Sequence, residues 1–88
     1  MAIHQKTIEG RDILITVEQV FEQQGKHDYR PLGFVARVSS KYEDDAGGFI
    51  PYQGEFVKDD HEHTVVYHTE DEACEAAVAY ATKRLKRT

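Results

Sequence analysis

At 88 residues the chain fits one domain, near the lower limit at which a hydrophobic core sustains folding without staples, and it leaves no room for a second. Cys74 is the only cysteine, which rules out an intrachain disulfide and suits a reducing compartment. A formal net charge of -5 argues against generic affinity for nucleic acid, which needs a positive field to displace counterions from phosphates.

The first residues, Met1 to Lys6, lack the apolar run of a signal peptide, and no apolar stretch has the length needed to cross a bilayer. The expected location is the cytoplasm, with no membrane partner. A strand over residues 3–8 is weakly marked, because its alternation of apolar and polar side chains is incomplete. Residues 13–22 mark a strand clearly: Ile13, Ile15, Val17 and Phe21 fall on one face at period two, and Thr16, Glu18 and Glu22 on the other. Residues 32–41 repeat the pattern, with Leu32, Phe34, Ala36 and Val38 facing one way and Arg37 and Ser39 the other. Pro31 is expected to fix the start of that strand. The polar stretch Gln23 to Asp28 contains Gly25, so these two strands are expected to form an antiparallel hairpin.

After Lys41 the run Glu43-Asp44-Asp45-Ala46-Gly47-Gly48 reads as a loop. Residues 52–58 and 63–68 then read as a second hairpin joined through Asp59 to Glu62, with Pro51 and Gly54 marking an edge or bulged strand. Helix signals take over at Thr69. Thr69 and Glu72 have capping-box spacing, and Glu70, Asp71 and Glu72 complement the positive end of the helix dipole. Lys83, Arg84, Lys86 and Arg87 complement the negative end. Alanines at 73, 76, 77, 79 and 81 favour helix over about residues 70–86, with an apolar stripe through Ala73, Ala76, Ala77, Tyr80, Ala81 and Leu85, widened by Cys74 and Val78. The predicted fold class is α+β: an antiparallel meander sheet of four to five strands, packed on one face by a single C-terminal α-helix, in one domain over 1–88.

The passage from Val65 to Ala73, continuing to Ala76, Ala77 and Tyr80, resembles the last strand and helix of HicB-type antitoxins and of the three-strand-plus-helix DNA-binding domains of ethylene-response factors. That resemblance covers about a quarter of the chain and reflects a general way of capping a helix after a strand. The upstream residues of neither family are present, so it assigns no family.

Chemistry-bearing patterns are few. Asp59, His61 and His63 lie close enough for a metal site, because alternate histidines on an extended segment point the same way, but a third or fourth ligand would have to come from His68, His27 or His4. Cys74, among Glu70, Asp71 and Glu75, lacks the positive surroundings that activate a thiolate and reads as a small core residue. Ser39 and Ser40 lie in no nucleophile elbow, and Gly47-Gly48 is not followed by the Lys-Ser of a phosphate loop. No catalysis and no cofactor are therefore expected.

Charge is unevenly placed. Residues 41–75 carry eleven acidic side chains against Lys41 and Lys58, and would mimic nucleic acid if they clustered on one surface. A single helix covers only one face of a sheet, so Thr16, Glu18, Arg37 and Ser39 are expected on the other. The leading expectation is a small non-catalytic protein-binding or regulatory module, or a self-associating one, acting through that face or a sheet edge. One alternative is nucleic-acid binding through Lys83, Arg84, Lys86 and Arg87, and another is metal-dependent function at Asp59 to His63.

Overall fold

The computed structural model of the chain describes residues 2–41 and 54–86. Four strands, β1 (Ala2–Ile8), β2 (Arg11–Gln23), β3 (Tyr29–Ser40) and β4 (Glu55–Phe56), precede the helix α1 (Glu70–Lys86). The strands form one antiparallel sheet in the order β1-β2-β3-β4, an α+β meander closed on one face by the C-terminal helix.

Each connection follows from local chemistry. Glu9 and Gly10 both take positive φ, 52° and 79°, which is the backbone of a two-residue type I′ turn and sets Ile8 opposite Arg11. At the β2–β3 reversal the amides of Gln24 and Gly25 both donate to the carbonyl of Asp28, at 2.8 and 3.4 Å. β3 begins at Tyr29, two residues before Pro31, so the proline lies inside the strand instead of opening it. The pairing shifts there: Val20 faces Gly33, Phe21 faces Pro31, and Leu32 is the extra residue of a bulge, a place where a missing amide costs little.

Of the second hairpin expected between 52–58 and 63–68, the structure keeps only the part next to the reversal, where Lys58 bridges Thr64 antiparallel and the Val65 amide donates to the Val57 carbonyl at 3.1 Å. The reversal forms, with the amide of Asp59 donating to the carbonyl of His63 at 2.9 Å and that of Glu62 to Asp59 at 3.1 Å, but residues 63–68 make no strand. Of the expected 52–58, residues 52 and 53 lie outside the described chain and only Glu55–Phe56 pair as a strand. Extending the register Val38↔Glu55, Arg37↔Phe56 would set Asp59 opposite Phe34, whereas the residue that pairs there is Tyr67. The chain leaves the sheet edge after Val57, turns through 58–66 as an outward excursion, and rejoins β3 at Phe34. Gly33 allows the return, because a Cβ on it would lie 2.3 Å from the Tyr67 carbonyl oxygen.

The core lies between α1 and one sheet face: Ile8, Ile13, Ile15, Val17, Ala36, Val38 and Val57 meet Ala73, Ala77, Ala81 and Leu85, with Cys74, Val78 and Tyr80 partly buried beside them. The expected stripe is thus realised, with its fully buried part narrowed to every fourth residue. Thr69 Oγ1 accepts from the Glu72 amide at 3.1 Å, as the capping box requires. The Glu72 carboxylate reaches one residue further back than expected, accepting from the His68 amide at 3.2 Å.

Two side-chain contacts orient the helix. His4 Nε2 lies 3.6 Å from the Glu70 carboxylate, and Lys86 Nζ lies 3.9 Å from that of Glu9, so α1 runs along β1 in the same direction. At about 25 Å for 17 residues the helix is much shorter than the roughly 43 Å of the 13-residue β2. The distal halves of β2 and β3 therefore project past the start of α1 as a two-stranded arm, and the fold extends 45 × 24 × 19 Å. Phe21, expected on the core face, lies on this arm at 53% exposure because no helix reaches it, and Leu32, expected there too, is 50% exposed as the extra residue of the bulge, where the alternation of β3 breaks.

Candidate functional site

Register places side chains on the helix-free face row by row. Ile3 pairs with Thr16, Thr16 with Arg37, and Arg37 with Phe56, so one transverse row crosses all four strands. Neighbouring rows bring Glu18 beside Val35, and Leu14 beside Ser39. The Arg37 guanidinium donates to the Glu18 carboxylate at 3.2 Å and sits 5.9 Å from the Phe56 ring centroid. Arginine is thereby fixed from two sides while remaining half-buried.

All four sequence-predicted face residues do share this surface, although in different ways. Thr16 and Ser39 are buried, whereas Glu18 and Arg37 are half-buried and paired with each other. Sequence reasoning missed the two apolar ends of the row, Ile3 at 62% exposure and Phe56 at 36%. The incomplete alternation of β1 was the available signal. Its core-side positions are Ala2, His4, Lys6 and Ile8, which leaves Ile3 on the outer face.

The Asp59 to His63 segment is organised by its own backbone. Asp59 Oδ1 accepts from the amides of His61 and His63 at 2.9 and 3.0 Å, and the two imidazole centroids stand 6.4 Å apart. The His63 amide bond lowers the Asp59 pKa below its ordinary 3.8 and partial desolvation opposes it, while the His61 amide and the nearby His63 charge lower it further. This carboxylate is thus occupied as a turn cap, and among the described residues no three His, Cys, Asp or Glu side chains come together to hold a metal.

The basic end of α1 is met by acids of its own chain. Arg84 pairs with Glu55, Lys86 lies near Glu9, and Arg87 falls outside the described residues. Lys83 lines an open groove of about 410 Å³ together with Glu55, Lys58, Asp59, Asp60, Glu62, Tyr80 and Arg84. Burial first, and the Glu62 charge second, raise the Tyr80 phenol above its ordinary 10.0. Charges of both signs line this groove, so it selects neither a phosphate nor a cation. Of the acidic run, Glu43, Asp44 and Asp45 lie outside the described residues. Among the described residues no helix is long and apolar enough to cross a membrane.

No protein-family description, no curated protein and no solved structure matches the chain.

Proposed function

We propose that this chain is a non-catalytic binding module whose contact surface for a protein partner is the helix-free face of its sheet. The observation that carries the reading is the row Ile3–Thr16–Arg37–Phe56, with Arg37 held between Glu18 and the Phe56 ring. Interfaces take most of their energy from a few aromatic, aliphatic and arginine side chains that are already ordered, because ordering them at the moment of binding subtracts from affinity. A guanidinium offers five N–H donors, and the Glu18 carboxylate engages this one through a single nitrogen at 3.2 Å. Further donors serve a carboxylate or backbone carbonyl of a partner, while Ile3 and Phe56 supply apolar contact on either side.

The test is affinity capture from native lysate with the wild-type chain and with Ile3→Asp, Phe56→Asp and Phe21→Asp, each first checked for native circular dichroism. A partner retained by the wild type and by Phe21→Asp, but lost by Ile3→Asp and Phe56→Asp, supports this face. An identical set of captured proteins across folded variants removes the reading.

A further inference from the structure

Some of the largest apolar side chains of this molecule lie outside its core. The buried cluster is built from isoleucine, valine, alanine and one leucine, whereas Phe21, Tyr29 and Leu32 on the projecting arm are each at least half exposed. Alternation along β2 puts Phe21 on the same side as Val17, which is the helix side, and Pro31 pairs with Phe21 and Tyr29 with Gln23 across the ladder. The arm therefore continues the core face beyond the end of α1 with nothing of α1 above it. Phe21 and Tyr29, on neighbouring strands of that face, present on the order of 200 Å² of surface. The arm's charges nearly cancel, Glu18, Glu22 and Asp28 against Lys26 and Arg30, which disfavours nucleic acid as the occupant.

We infer that a second copy of this chain covers the arm, the two arms packing face to face and antiparallel about a two-fold axis near Phe21. A two-fold contact must be self-complementary, and this surface is. Phe21 lies four residues from Val17, where helix packing ends, and four from Gly25 at the tip, about 13 Å either way. With Phe21 on the axis, the tip of each arm reaches the base of the other. The tip carries Lys26 and His27; the base carries the acidic first turn Glu70, Asp71 and Glu72 and the exposed Val66. Cation meets carboxylate at both ends while the aromatic side chains meet in the middle. A stable dimer buries about 800 Å² per partner, so the polar flanks Gln19, Gln23 and Gln24 must join the apolar centre. The Ile3–Phe56 face stays outward in this arrangement, so self-association and the binding role proposed above stand or fall separately.

Sedimentation equilibrium of the full chain across micromolar to submillimolar concentration tests the inference. The wild type is expected to be dimeric, and Phe21→Asp to weaken dimerisation by roughly 30-fold or more while leaving far-ultraviolet circular dichroism unchanged. Lys26→Glu, at an exposed loop position that does not threaten folding, should weaken it as well, and Asp71→Lys in the same chain should restore it. A wild-type monomer throughout the concentration range overturns the inference. So does a dimer that survives Phe21→Asp and Lys26→Glu, or one that Phe56→Asp disrupts instead.

Discussion

Phe34 and Tyr67 exchange two backbone hydrogen bonds, the amide of each donating to the carbonyl of the other at 2.8 and 2.7 Å, across a sheet edge from which residues 58–66 have been diverted. This closed pair anchors the excursion 58–66 and delivers the chain to the helix cap at Thr69. It depends on the absence of a side chain next to it.

Gly33→Ala should therefore be the most damaging small substitution on the sheet. Gly33 has a φ of 146°, and a Cβ would meet both the Tyr67 carbonyl oxygen and Val66 Cγ1, at 2.3 and 2.8 Å. The expected loss is roughly 2–4 kcal/mol, combining backbone strain with the broken pair. Urea unfolding measures the loss, and hydrogen exchange at the Phe34 and Tyr67 amides should accelerate before that of Ile15.

Thr69→Ala should cost about 1 kcal/mol, because the Glu72 amide loses its acceptor at the first turn of α1. Thr69→Ser keeps the hydroxyl and should be close to neutral. Thermal melts followed at 222 nm distinguish the two.

Ala77 is fully buried where α1 meets the sheet, so the closeness of helix and sheet rests on its methyl group. Ala77→Leu should destabilise by about 1–3 kcal/mol through overpacking. Ala79, on the exposed side of the same helix, should accept leucine within about 0.5 kcal/mol. Equal urea midpoints for the two variants would contradict this placement of the core.

Acid should loosen the 59–63 turn late. The folded-state pKa of Asp59 is lowered, chiefly by the His63 amide bond, so its contribution is present above the ordinary 3.8 and is lost as pH falls through the lower folded value. The amide resonances of His61 and His63 should report a carboxylate midpoint below 3.8 in an NMR titration. Asp59→Asn should remove that acid-dependent movement from both.

Strands and helix were legible wherever a local pattern and its tertiary use coincide. Ile13, Ile15, Val17, Ala36 and Val38 alternate because the helix side of the sheet is the core, and Thr69 and Glu72 are spaced for a cap that forms. Phe21 continues the same alternation where no helix covers it, because a pattern records which way a side chain points and not what lies above it, while Leu32 drops out of its alternation at the bulge beside Pro31. Residues 63–68 have the composition of a strand, yet they pair with the preceding segment only where Thr64 and Val65 meet Lys58 and Val57, and Tyr67 goes instead to the edge of β3 at Phe34. The polar half of the helix-free face was read correctly from period two. Its pairing of Arg37 with Glu18 and Phe56 needed the cross-strand register, which no single segment encodes.

The excursion at residues 58–66 also bears on how this sheet ends. A sheet edge is a row of unsatisfied amides and carbonyls, and a long flat one recruits further strands without limit. Here β4 is two residues long and the chain bends away directly after it, so this side offers no straight template for growth. The opposite edge, β1, carries an exposed lysine, Lys6, in its second half, and adding a strand there would crowd its charge. Along the four-stranded part of the sheet both margins are thus poor templates for stacking edge on edge, which directs contact with other chains there to the faces, where geometry limits it to a defined number of copies.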